Sequence, residues 1–223
     1  MDQANVPEPV DVALGPEEAR VVACLVEKQA TVPDSYPMTL NGLRSACNQS
    51  SNRDPVVDYD EHTVLAALDG LKVRRLVRFV HAAHGSRTTR YRHVLDEALG
   101  LSPGELALLT VLVLRGPQTA GELRSRAERQ HDFDSIGAVE AVLHALADRA
   151  DPLVRLLGRE AGRREPRWVQ LLTGEPDPAA LAAPPPVATA GRSRADEVAV
   201  LRAELDDLRG RFDELCRRLG EEV

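Results

Sequence analysis

Apolar residues recur at helical spacing through most of the first 172 positions, and twice the spacing shortens to the period of a strand. Ser102-Pro103-x-Glu105 sets a capping hydroxyl, a proline at the first helical position and a reciprocating carboxylate ahead of an apolar helix reaching Leu114. Gly15-Pro16 opens an earlier helix that ends before Pro33. Thr119 with Glu122 forms a second capping box, and Thr39 opens its counterpart with Gly42 in the glutamate's place. Val64, Leu68 and Leu71 mark a third helix, capped by Asp58 with Glu61, and Val139, Val142 and Leu146 mark its equivalent. Leu76–His81 and Thr88–Val94 then suit two strands joined through His84-Gly85-Ser86. Three helices and a hairpin make a winged helix-turn-helix, and the pattern occurs twice.

The repetition is visible in the residues themselves. "LGPEE" at 14–18 answers to "LSPGE" at 101–105, "TLNGLRS" at 39–45 to "TAGELRS" at 119–125, "VLAAL" at 64–68 to "VLHAL" at 142–146, and "LVRFV" at 76–80 to "LVRLL" at 153–157. Tyr91 meets Trp168 at the last offset, and copy one is longer chiefly through "VPDSYPM". The stretches "EKQATVPDSYPMTLNGLRSACNQSSNRDPV", "RGPQTAGELRSRAER" and "GRREPRW" resemble the YceH-type family of uncharacterised bacterial proteins over about residues 14–172. That resemblance implies a tandem winged-helix fold and carries over no activity or functional residues.

Beyond residue 172 the composition changes. "TGEPDPAALAAPPPVATAGRS" reads as a semi-rigid linker. Val198, Leu201, Leu205, Leu208, Phe212, Leu215 and Leu219 then alternate spacings of three and four, a heptad seam that predicts a homodimer. A single helix packing back on the domains is the alternative. The expected organisation is an acidic tail at 1–13, winged-helix domains at 14–95 and 96–172, a Pro/Ala-rich linker at 173–193 and an amphipathic coiled-coil helix at 194–223. The fold class is mainly α with small β-hairpin wings.

Charge and cysteine usage narrow the function. Three widely spaced cysteines, Cys24, Cys47 and Cys216, argue against a disulfide framework and for a reducing, cytoplasmic setting, with neither a signal peptide nor a membrane span. The net charge of −7 is carried by the tails, whereas residues 14–95 sum to +2. Between Asp69 and Asp96 there is no acidic residue, while Lys72, Arg74, Arg75, Arg78, Arg87, Arg90 and Arg92 fall there.

A basic field on a winged helix predicts contact with the phosphates of double-stranded DNA. Arg90 and Arg92 share a strand face, and Arg74, Arg75 and Arg78 flank the end of helix three. Helix three itself is a poor reader of bases: with Val64, Leu68 and Leu71 inward, its outward set includes Thr63, Ala66, Ala67 and Gly70. The loop "NQSSNRDP" admits two readings. Its Asn and Ser residues close helices and build turns, or Gln49, Asn52 and Arg53 project beside helix three and supply the missing polar contacts.

Copy two offers Ala138, Glu140, Ala141 and Asp148 with a wing of mixed sign, which suits a protein partner. Cys24 and Cys47 read as core residues, His81-x-x-His84 lacks further ligands, and no phosphate loop or nucleophile elbow is present. No metal, cofactor or catalytic residue is expected. The sequence predicts a non-enzymatic, DNA-associated regulatory protein, with a protein-interaction adaptor as the alternative.

Overall fold

The computed structural model describes residues 13–81, 88–158 and 165–176. Residues 1–12 of the acidic tail, residues 177–193 of the linker, the heptad seam from Val198 to Leu219, the tip of the first hairpin with Arg87, and Cys216 lie outside the described residues. The chain is mainly helical with two small antiparallel sheets.

Copy one runs α1 (Pro16–Thr31), a 3-10 turn (Pro33–Ser35), β1 (Met38–Thr39), α2 (Leu40–Cys47), α3 (Glu61–Val73), β2 (Val77–His81) and β3 (Thr89–His93). A short helix, α4 (Leu95–Leu99), leads to copy two, which runs α5 (Pro103–Arg115), α6 (Ala120–Ala127), α7 (Ile136–Ala147), β4 (Val154–Leu156) and β5 (Trp168–Gln170).

Helix starts obey the local chemistry. Ser102 accepts from Glu105 N while the Glu105 carboxylate takes Ser102 N–H, and Thr119 with Glu122 repeats the arrangement. Thr39 accepts from Gly42 N, so the hydroxyl half of that box survives without its carboxylate. One cap differs from expectation: α3 is capped by Asp60, whose Oδ1 accepts from Thr63 N at 2.8 Å. Asn48 is the reason. Its amide donates to Tyr59 O at 2.9 Å and to Asp58 Oδ1 at 3.4 Å, while its carbonyl accepts from Tyr59 N–H at 2.8 Å. Asp58 is thereby drawn to α2, and the next carboxylate caps α3.

The repeat persists at the level of single hydrogen bonds. Met38 pairs with Tyr91 in the first sheet, and Gln118 forms the equivalent bridge to Trp168 in the second. Val94 N donates to Leu76 O at 2.9 Å, and Leu171 N donates to Leu153 O at 2.8 Å, each 77 positions later. The two copies share one continuous apolar core, within a unit that ends at Pro176. α1 packs on α5, so every residue from Ala19 to Val26 is buried, the face away from its own copy included. Leu14 N donates to Leu172 O at 2.7 Å and ties the entrance of copy one to the end of copy two.

Two assignments of helix faces need correction. Ala67 is buried, because α3 lies against α1, and Gly70 faces the Glu18 side chain. In α7 the fully buried stripe is Val139, Leu143 and Leu146, with Val142 only partly covered. No helix among the described residues is long and apolar enough to cross a membrane.

Candidate nucleic-acid interface

β3 lies between β1 and β2, with Arg78 opposite Arg92, Phe79 opposite Tyr91 and Val80 opposite Arg90. Side chains alternate across a strand, so Arg78, Val80, Arg90 and Arg92 share the outer face. Val77, Tyr91 and His93 are buried on the inner face, where Phe79 meets Tyr91 edge-on at 4.9 Å. Lys72 closes that side with its ammonium 4.4 Å over the Phe79 ring. The hairpin therefore carries its arginines outward on an anchored sheet.

Two like charges directly opposite each other repel unless an anion is shared. Glu97 of α4 is that anion, with Oε2 at 3.1 Å from Arg78 Nη2 and Oε1 at 3.6 Å from Arg92 Nη1. Its side chain is 51% exposed, so the pairings are solvent-screened, in the class worth roughly 0–1 kcal/mol each. Arg90 donates to Pro37 O at 2.8 Å and remains exposed, so three cations face one carboxylate.

Arg74 Nε lies 3.5 Å from Glu18 Oε1, on the side of α3 that meets α1. Arg75 is exposed and ends α3 with φ of 59°. Arg75 N donates to Lys72 O at 3.0 Å and Leu76 N to Leu71 O at 2.9 Å, a Schellman closure with arginine where glycine is favoured. Relief of the left-handed strain predicts that Arg75→Gly raises unfolding free energy by about 1 kcal/mol, measurable by urea titration.

The exposed face of α3 comprises Glu61, His62, Ala66, Asp69, Lys72 and Val73, the last 83% exposed. It holds two carboxylates and no Arg, Asn or Gln, so base-edge readout by this helix is weaker than the sequence suggested.

In the "NQSSNRDP" loop Arg53 is turned inward, while Ser50, Ser51, Asn52, Asp54 and Pro55 are exposed. The Arg53 side chain has 0% exposure and forks onto Glu27, at 2.6 Å from Oε2 and 3.2 Å from Oε1. It also donates to Ala46 O at 3.0 Å and to Gln49 Oε1 at 2.7 Å. Gln49 is further held by Lys28 at 3.3 Å, and Asn52, itself at φ 61°, accepts from Arg115 of copy two. Arg20, also buried, reaches Pro55 O at 2.6 Å. Two buried arginines thus clamp the loop to α1, and Asp54 N–H bonds Leu114 O at 2.8 Å across the copies. Arg53 is spent on this scaffold.

Burial alone would raise the Glu27 pKa, but the Arg53 and Lys28 charges and hydrogen bonds outweigh it and hold the carboxyl below its ordinary value. Cys24 and Cys47 are both buried free thiols, with Arg53 Nη2 at 3.8 Å from Cys24 Sγ. No group of three or more His, Cys, Asp or Glu suited to a metal occurs among the described residues.

Copy two is less basic. Arg155 pairs with Glu175 and Arg167 with Glu122, while α7 exposes Ile136 (47%), Ala141 and Ala145. The sequence reading missed Glu97, although its place just after the basic tract signalled a partner, and the buried Arg20, which nothing in the helical pattern distinguished.

Comparison with known proteins places these features in a family. The family described as "Protein of unknown function, DUF480" matches residues 14–163. A UPF0502 protein of Pelobacter propionicus is 47% identical over 221 residues, covering 92% of this chain and 100% of the relative. Another from Geobacter sulfurreducens is 53% identical over 168 residues, covering 75% of this chain and 76% of its own length. One from Delftia acidovorans is 44% identical, with 96% of both chains covered.

Proposed function

We propose that this chain, which belongs to the DUF480 family of proteins of unknown function, is a tandem winged-helix protein that associates with double-stranded DNA through the outer face of its first hairpin and serves a regulatory role. The observation that carries the reading is the register of that hairpin: Arg78, Arg90 and Arg92 stand outward together, on a sheet whose inner face is fixed by Tyr91 and His93. Arg75, exposed just beyond the end of α3, precedes that hairpin in the chain. Such a surface meets phosphates and leaves bases unread, because α3 offers carboxylates to the groove. Binding is therefore expected to tolerate sequence change and to weaken steeply with salt. Pairing of two chains through the Val198–Leu219 seam would place a second set of arginines on the same duplex.

Glu97 competes with phosphate for Arg78 and Arg92, so it provides a test that strengthens binding. Glu97→Gln is expected to tighten duplex binding about threefold to tenfold at low salt, measured by fluorescence anisotropy with two unrelated duplexes. Unchanged affinity would remove Arg78 and Arg92 from the interface. The adaptor reading has its own support in the exposed Ile136, Ala141 and Ala145 of α7, and it becomes the leading one if no duplex is bound.

A further inference from the structure

Where α5 ends, three arginines gather around one carboxylate. Arg115 closes α5, Arg126 lies on α6 and Arg167 just precedes β5. Two of them are anchored on the turn that follows Arg115: Arg126 Nη1 donates to Gln118 Oε1 at 2.6 Å, and Arg167 Nη1 donates to Pro117 O at 2.7 Å. Both also meet Glu122, Arg126 Nη2 at 3.5 Å from Oε1 and Arg167 Nη2 at 3.4 Å from Oε2. Arg115 has no carboxylate of its own. Its Nη2 donates to the neutral Asn52 Oδ1, and it makes no ion pair among the described residues. Glu27, whose charge reaches Arg115, is already held by Arg53 and Lys28.

A guanidinium partly withdrawn from water and set beside a like charge is stabilised by an anion. Burial, and then the Arg126 charge, hold the Arg115 pKa below its ordinary value against the pull of Glu27. Three guanidiniums and the single Glu122 carboxylate leave two positive charges unmatched. Donors are open as well: Arg115 Nε and Nη1 and the Asn52 side-chain nitrogen have no hydrogen-bond acceptor among the described residues. Arg115 and Arg126 are partly exposed and Asn52 is exposed, so an anion reaches them from solvent. A carboxylate offers two coplanar oxygens and one charge. A phosphate monoester offers three oxygens in three directions and two charges, which suits donors arriving from α5, α6 and a loop of the other copy.

We propose that this corner between the copies binds a phosphate group, with the Arg115 fork and the Asn52 amide as donors and Arg126 as the second positive charge. The phosphate comes from a soluble monoester or from a DNA backbone. None of these groups lies on β2 or β3, so the site goes beyond the hairpin reading and stands without it.

Methyl phosphate, methyl sulfate and acetate, at one ionic strength and at about pH 8 where the phosphate is a dianion, are titrated into the full isotope-labelled chain. The Arg115 Nε–H and Asn52 side-chain amide resonances are followed by NMR. Methyl phosphate is expected to shift both saturably, methyl sulfate about tenfold more weakly, and acetate not at all. Arg115→Gln, read at Asn52, is expected to weaken methyl phosphate about tenfold, and Arg115→Lys, which keeps the charge and loses the fork, to weaken it less. The same Arg115→Gln variant identifies the source: a duplex salt slope flattened by about one contact assigns the phosphate to DNA, and an unchanged slope assigns it to a soluble monoester. Equal shifts from all three anions, or a methyl phosphate affinity that Arg115→Gln leaves unchanged, would mean a diffuse basic surface and overturn the proposal. Absence of any saturable shift would overturn it too. Neither failure bears on the hairpin, whose arginines are tested on duplexes alone.

Discussion

Replacing Arg53 with alanine is expected to lower the unfolding free energy by about 3–5 kcal/mol, because one substitution removes the partner of a half-buried carboxylate and several hydrogen bonds at once. The guanidinium donates to Glu27 through two nitrogens, to Ala46 O in the last turn of α2, and to Asn52 O at 2.9 Å. Without it the loop loses its anchor to α1, and Asn52 can no longer be held for Arg115 of copy two. For a folded unit of this size the loss corresponds to a fall in Tm of roughly 10 °C. Arg53→Lys should recover only part, since a single ammonium cannot fork onto Glu27 and reach Ala46 O together.

The same pair sets a pH dependence. The Glu27 pKa is depressed in the folded state, so the stability it contributes is full above the ordinary value of 4.5 and is lost as pH falls through the depressed one. The gap between wild type and Arg53→Ala, read by urea unfolding, should be full at neutral pH and narrow below pH 4.5. A gap that stays constant into acid would show that the ion pair is not its source.

Family, repeat and most helix starts were legible because they rest on local chemistry: a capping hydroxyl three residues before a glutamate, a proline at the first helical position, one motif recurring 80 positions later. Where the reading erred, the deciding partner was distant. The loop sequence left open whether Arg53 faces DNA, and its direction is fixed by Glu27, 26 residues earlier on α1. Ala67 carries too little side chain to reveal its face, and the packing of α1 against α3 decides it. β1 is two residues long, too short for alternation to show, yet it completes the sheet. The shared orientation of Arg90 and Arg92 was legible from strand period. That Arg78 joins them required the cross-strand register, and that Glu97 bridges two of them required the turn into α4.

The largest functional effect is expected from Arg78→Ala, Arg90→Ala and Arg92→Ala combined, which should weaken duplex binding about a hundredfold at low salt. Three phosphate contacts at about 0.9 kcal/mol each supply that factor. Stability should change little, because all three side chains lie on the solvent face and their partners are the exposed Glu97 and Pro37 O. The control is Arg129→Ala with Arg155→Ala in copy two, both exposed, expected to change affinity by no more than about twofold.

The central claim is that the first hairpin binds duplex DNA through phosphates, and the salt dependence of that binding tests it most directly. Anisotropy titrations of the full chain between about 50 and 200 mM salt, on two duplexes of unrelated sequence, should give parallel log–log lines. Their slope should be −2 to −3 or steeper, at about 0.9 per phosphate contacted, and the triple arginine variant should flatten it by about the same amount. No measurable binding at the lowest salt, or a slope the triple variant leaves unchanged, would contradict the account.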